Sequence, residues 1–250
     1  MRCLIAAISV TLIAAGVAGC GGSDSRQLRV SAAASLEPAF TRYADSTFPD
    51  DEIHQSFAGS DQLAAQIEQG ANPDVFASAN TQFPEALYRK GLVERPVVFA
   101  RNRLVLAVPA SSTIHSLSAV ARPDVSVVIG DPSVPVGSYT REVLGRLPAT
   151  ERSAILANVR SQEPDVSSVV GKLTEGAADA GFVYLTDVHA AGGELRAIQF
   201  PADLQPDVAY GIAVVSGAPD PALAQRFVDG LVDGGPGVPF LRGAGFLPPG

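Results

Sequence analysis

Twice within its first seventy residues the chain writes the same short pattern: an apolar run, two or three residues with almost no side chain, a serine, then apolar residues at helical spacing. The first copy is Val30-Ser31-Ala32-Ala33-Ala34-Ser35-Leu36-Glu37-Pro38, followed by Phe40 and Tyr43. Leu36, Phe40 and Tyr43 predict a helix over 36–47. Pro38 falls in its first turn, where a missing N–H costs nothing, and Ser35 stands where an N-cap belongs. In the second copy a strand over 52–57 breaks at Ala58-Gly59-Ser60, and Leu63 and Ile67 mark a helix over 61–69 that stops at Gly70. A helix start offers unpaired N–H groups and the positive end of a dipole, and small neighbours let an anion approach the backbone. Taken singly, Ser35 reads as an ordinary cap beneath solvent. Two such turns at the same end of neighbouring parallel strands would instead set two hydroxyls and two helix ends over one crevice, and the repetition favours an oxyanion site.

The remainder keeps alternating short apolar runs with helical stretches, the pattern of an α/β fold built on mostly parallel sheets. A strand and turn at 74–79 precede a helix over 83–90 closed by Gly91, then a strongly apolar strand over 103–109. A strand over 125–129 runs into a loop rich in Gly and Pro at 130–137, and a helix follows over 138–147. Val166, Val169, Val170 and Leu173 mark one face of a helix ending at Gly176. Strands at 180–184, with Tyr184 as a polar tip, and at 209–215 precede a closing helix over 221–232. The two most apolar strands mark crossings between domains, giving a first lobe of 28–106 and 212–250 and a second lobe of 107–211. There is no repeat of fixed period.

Residues 1–19 read as an export signal: Arg2 is the charged start, the stretch from 4 to 17 is nearly all apolar, and Val17-Ala18-Gly19 ends it with small residues ahead of Cys20. The arrangement resembles the bacterial lipoprotein cleavage box, which implies lipidation of Cys20, a tether over 20–27 and an extracytoplasmic protein held at the membrane's outer face. Of the two cysteines, Cys3 leaves with the signal, so no internal disulfide can form. His54, His115 and His189 have no metal-ligand spacing. A net charge of −8 argues against nucleic acid and against long-range capture of an anion, so local hydrogen bonds must hold any anion that binds.

Read together, these pieces are familiar. Val30 to Leu36, Ser56-Phe57-Ala58-Gly59-Ser60, Ala71-Asn72-Pro73-Asp74-Val75-Phe76-Ala77-Ser78-Ala79, Gly130-Asp131-Pro132 with Val134-Pro135-Val136-Gly137, Gly181-Phe182-Val183-Tyr184 with Asp187, and Gly243-Ala244-Gly245-Phe246 resemble, in order and interval, the molybdate-binding proteins of bacterial ABC uptake systems. The resemblance covers nearly the whole mature chain. It implies a two-lobed periplasmic-binding-protein fold of type II kind, with the ligand in the cleft between lobes. It also implies a monomer that delivers molybdate or tungstate to an ABC permease and its ATPase, with no cofactor. By the same resemblance, Ser35 and Ser60 supply hydroxyls and loop N–H groups from the first lobe. Val136 and Val166 supply backbone N–H groups from the second, and the Tyr184 hydroxyl completes the shell. These five are contacts to the oxygens of the molybdate anion; none ligates a cation directly. Gly59, where relatives often carry serine, and Val136, where a smaller residue is common, depart from the family pattern.

Serine, tyrosine and backbone N–H can all donate to a fully deprotonated tetrahedral dianion. A rigid ring of short dipoles accepts one radius better than another, which would separate molybdate and tungstate from smaller sulfate. On its own residues Tyr184 reads as well as a core tyrosine at a strand end, Asp187 as a residue that caps or orients a loop, and Asp131-Pro132 as turn chemistry. Two rival functions are a serine hydrolase and a receptor for another solute such as sulfate. The first lacks a Gly-x-Ser-x-Gly elbow, a Ser-x-x-Lys pair and any histidine in a recognisable motif. A receptor for a carboxylate would show a bidentate arginine in the cleft loops, and Arg141, the nearest candidate, lies within a predicted helix.

Overall fold

The computed structural model describes residues 26–232 and 234–250; the predicted signal segment and Cys20 lie outside them. Two five-stranded sheets form the two lobes. In chain order the first lobe contributes β1 (Gln27–Ala33), a 3-10 turn over Ala34–Leu36, α1 (Glu37–Thr47), β2 (Glu52–Ala58), α2 (Ser60–Glu68), β3 (Val75–Ser78), α3 (Gln82–Arg89) and β4 (Val97–Asn102). The second contributes β5 (Leu104–Pro109), β6 (Val127–Gly130), α4 (Pro135–Gly145), α5 (Ala149–Ala157), β7 (Val159–Glu163), α6 (Val166–Thr174), β8 (Ala180–Tyr184), α7 (Leu185–Ala190) and β9 (Leu195–Gln199). The chain then returns for β10 (Val208–Val214), α8 (Pro221–Asp229) and α9 (Val238–Gly243).

The strand orders are β2-β1-β3-β10-β4 and β7-β6-β8-β5-β9. Each sheet pairs its first three strands in parallel and its last two antiparallel. Four strands of each sheet thus run one way, as expected of mostly parallel sheets, and one, β10 or β5, runs against them, which makes both sheets mixed. The reason is the exchange of strands: β5 and β10 each arrive from the other lobe, enter at the cleft edge and run away from it, against the direction of the βα units they join. The same two strands are where the chain passes from one sheet to the other. All of β5 belongs to the second sheet and all of β10 to the first, whereas boundaries at 106/107 and 211/212 would cut both strands. Only Arg103 separates β4 from β5.

Alternation along the strands decides what each face of the first sheet buries. Val75 and Ala77 face a core shared with Phe40, Phe99 and Phe227, while Phe76 and Ala213 face Leu63, Ile67 and Leu87 beneath α2 and α3. Phe40 packs between Phe99 (centroids 5.9 Å) and Phe227 (5.7 Å). Tyr43 donates its buried hydroxyl to the Phe227 carbonyl at 3.0 Å. These contacts hold α1 and α8 on one side of the sheet, so the start of α1 sits rigidly at the carboxyl end of β1. Among the described residues no helix is long and apolar enough to cross a membrane.

Candidate functional site

In a sheet fed by βα units, the crevice lies off the carboxyl ends of the parallel strands. Here β1, β2, β6 and β7 end at one cleft, and each hands over to a helix whose N-terminus opens there: α1 with its 3-10 turn, α2, α4 and α6. Between them is a pocket of about 230 Å³, open mouth included, and Ser35, Ser60, Val136, Val166 and Tyr184 all line it. All five are buried. Every residue named from the sequence as a contact is thus brought to one place, two from the first lobe and three from the second.

The backbone supplies much of the donor set. In α4 the first helical bond runs from the Ser138 N–H to the Val134 carbonyl. Pro135 has no N–H, so the N–H groups of Val136 and Gly137 start the helix with no partner within it. In α6 the cap is Asp165, whose carboxylate accepts from Ser168 N–H at 2.8 Å. The N–H groups of Val166 and Ser167 remain ahead of the first intrahelical bond. In α2 the first such bond is Leu63 N–H to Gly59 carbonyl, 3.1 Å. That leaves the Ser60 N–H outside the ladder.

The side chains complete it. Ser60 Oγ accepts the Ala79 N–H at 3.1 Å, which leaves its own proton to donate. Ser35 Oγ lies 2.9 Å from the hydroxyl of Tyr210. Ser35 does not cap α1: it sits inside the 3-10 turn, whose cap is Ala33, and α1 itself begins after Leu36. The expected cap is thus corrected, because the tight turn takes up the backbone bonds a capping hydroxyl would have made. Tyr184 is 1% exposed and its buried hydroxyl has no hydrogen-bond partner. Burial raises that phenol well above its ordinary value, so it stays protonated and able to donate. Among the described residues no arginine or lysine lines the pocket, and Asp165 is its one charged residue. Arg141 lies elsewhere, donating to Gln162 Oε1 at 3.0 Å.

The last three residues of the predicted loop over 130–137 are helical: α4 begins at Pro135, three residues before the expected start at 138. Proline at the first helical position and Val134 in extended geometry are the signals for that start. Asp165 was equally legible, as a capping residue just ahead of an apolar run. Tyr210 was not, since nothing in its strand distinguishes it from any other buried tyrosine. Asp187 does cap: it lies in the first turn of α7 and accepts the N–H of Tyr184, the residue ahead of that helix, at 2.8 Å. His54 lies on the surface beside Glu52, and His189 packs against Gly245; neither lines the pocket. Among the described residues no group of three or more His, Cys, Asp or Glu could hold a metal ion.

The lobes touch at the mouth of this pocket. A Cβ added to Gly59 would lie 2.4 Å from the carbonyl oxygen of Pro164 in the other lobe. Ser133 Oγ lies 2.8 Å from Asp61 Oδ2, also across the cleft. The departure at Gly59 thus has a physical counterpart: at this position there is no room for a side chain with the lobes together.

Comparison with known proteins gives concordant findings. A family model described as bacterial extracellular solute-binding protein matches residues 28–247. The molybdate-binding protein ModA of Mycobacterium tuberculosis is 34% identical, across 95% of this chain and 95% of its own. The corresponding protein of Haemophilus influenzae is 32% identical across 84% and 86%. Among solved structures, the periplasmic molybdate-binding protein of Azotobacter vinelandii aligns with a TM-score of 0.78 at 23% identity, over 89% of this chain and 100% of that one. The sulfate-binding protein SubI from Mycobacterium tuberculosis aligns with a TM-score of 0.75 at 15% identity, over 89% and 87%. At such identities these two structures speak to the fold alone.

Proposed function

The chain belongs to the bacterial extracellular solute-binding proteins, and from that premise we propose that it captures molybdate or tungstate in the cleft and delivers it to an ABC permease. It binds and releases its solute unchanged; it is a receptor and not an enzyme. The observation that carries the reading is the make-up of the pocket: hydroxyls of Ser35, Ser60 and Tyr184 and the N–H groups at the starts of α4 and α6, drawn from both lobes, with no cationic side chain among the described residues that wall it. A tetrahedral dianion has four oxygens and no proton to give. A pocket of donors aimed from helix ends satisfies it, with each charge-assisted bond contributing about 1.5–3 kcal/mol. Ser35, Ser60, Val136, Val166 and Tyr184 are the proposed contacts.

The relatives named for molybdate support the choice of anion over sulfate, and the rigidity of the walls supports selection by radius. Cys20 carries the proposed lipid anchor, 1–19 the proposed signal, and the mature protein works as a monomer outside the cytoplasm. The deciding experiment is calorimetry on the purified protein with molybdate, tungstate, sulfate and phosphate in turn. Molybdate and tungstate are expected to bind at least about a hundredfold more tightly than sulfate, which corresponds to roughly 2.8 kcal/mol of discrimination. Equal affinity for sulfate would defeat the reading.

A further inference from the structure

Beneath Ser35 lies a chain of hydrogen bonds that reaches both crossings between the lobes. Asn102 is the last residue of β4, directly ahead of the first crossing at Arg103, and Tyr210 stands near the start of β10, just after the second. The Asn102 amide oxygen accepts the Arg103 N–H at 2.8 Å. That bond decides which end of the amide is oxygen, so Nδ2 faces the hydroxyls. It donates to Thr186 Oγ1 at 2.9 Å and to the Tyr210 hydroxyl at 3.3 Å. Having received an N–H, the Tyr210 oxygen has its own proton to place, and Ser35 Oγ stands 2.9 Å away as acceptor. The Ser35 oxygen is thereby occupied, and its proton is left for the pocket.

We infer that Tyr210, oriented by Asn102, is a positioning residue: it holds the Ser35 hydroxyl as a donor toward the bound anion. The inference rests on the oxyanion reading of the cleft. Ser60 is wired in the same sense by the Ala79 N–H, a backbone group that only a proline would remove. At Ser35 the task falls to a side chain, and one seated between the two lobe crossings. Without the Tyr210 proton, the Ser35 hydroxyl is free to turn inward and spend its hydrogen elsewhere, and the anion meets a lone pair in place of a donor. The tyrosine ring itself packs edge-on against Phe99 (6.2 Å), Tyr184 (5.9 Å) and Phe246 (5.2 Å), contacts that a phenylalanine keeps.

The test is a double-mutant cycle in the full mature chain: wild type, Tyr210→Phe, Ser35→Ala and the pair, each titrated with molybdate. Affinities too weak for calorimetry are read from the thermal midpoint across a molybdate series. Tyr210→Phe is expected to weaken molybdate binding about tenfold, the scale of one hydrogen bond to a charged group. In the Ser35→Ala background the same change is expected to alter affinity by less than about twofold, because its effect passes through a hydroxyl already gone. Melting each protein without ligand separates packing from positioning: a merely structural tyrosine would lower the midpoint and cost the same affinity in both backgrounds. Unchanged binding by Tyr210→Phe, or equal losses with and without Ser35, overturns the inference. Failure of the wild type to bind molybdate overturns the functional reading instead.

Discussion

Small residues and neutral donors make the pocket, and the carboxylates near it are engaged by backbone N–H groups. Asp165 spends a carboxylate oxygen on the Ser168 N–H. Asp187, buried with the Tyr184 N–H as partner, is pushed up to about 7 from 3.8 by its burial, the hydrogen bond only partly opposing the rise. A carboxyl that holds its proton more tightly folded than unfolded makes folding take up a proton between those two values. Its contribution to stability is therefore fully present below about pH 4, declines as pH rises toward 7, and is flat beyond. Asp187→Asn keeps an acceptor for Tyr184 and cannot ionise. Melting curves should show the variant close to wild type near pH 4 and increasingly more stable up to about pH 7. A difference independent of pH would show that Asp187 carries no buried titration.

At the scale of elements, the start of α4 is the piece on which the second lobe's donors depend. A Cβ on Gly137 would fall 1.8 Å from the Asp131 carbonyl oxygen and 2.5 Å from that of Gly130. Both obstacles are backbone, so the helix end itself would have to move. Gly137→Ala is expected to cost about 1–3 kcal/mol of stability as an overpacked site does, and to weaken molybdate binding by displacing the Val136 N–H. Gly145 ends the same helix with nothing within 4 Å of an added Cβ. Gly145→Ala should therefore leave binding intact and add up to about 1 kcal/mol through helix propensity. Denaturant titration and calorimetry of the two variants give the comparison. Periodicity left out α5, which buries only Ile155, and several edge strands and short helices. β4, β7 and β9 are all edge strands, half exposed and mixed in polarity, as in the alternation along Val159–Glu163. α7 and α9 are six residues each, too short for a 3.6-residue period to declare itself.

For the whole molecule, function turns on the two lobes meeting over the ligand. The Gly59 backbone against the Pro164 carbonyl and the Ser133–Asp61 bond are where they meet. Closure around an anion should compact the protein: small-angle scattering should record a smaller radius of gyration with molybdate than without, and identical profiles would contradict it. Gly59→Ala puts a methyl group into the closest approach between lobes. It is expected to leave the ligand-free melting temperature nearly unchanged, to shrink the ligand-induced compaction and to weaken molybdate binding by roughly tenfold or more.

The sequence alone determined the local units: two serine-bearing strand-to-helix turns, a chain alternating βα, and the glycines that stop helices at Gly70, Gly91 and Gly176, each with positive φ. Such features are legible because backbone sterics and hydrophobic period act over a few residues. With the family resemblance added, it also named the five residues that now line one pocket. Only the tertiary structure decided which sheet receives the two exchanged strands, that Ser35 sits inside a tight turn and not at a cap, and that Tyr210 and Asn102 stand behind it. The bonds among Ser35, Tyr210, Asn102 and Thr186 join segments more than eighty residues apart in the chain, and no local propensity encodes which hydroxyl will face which across such a distance.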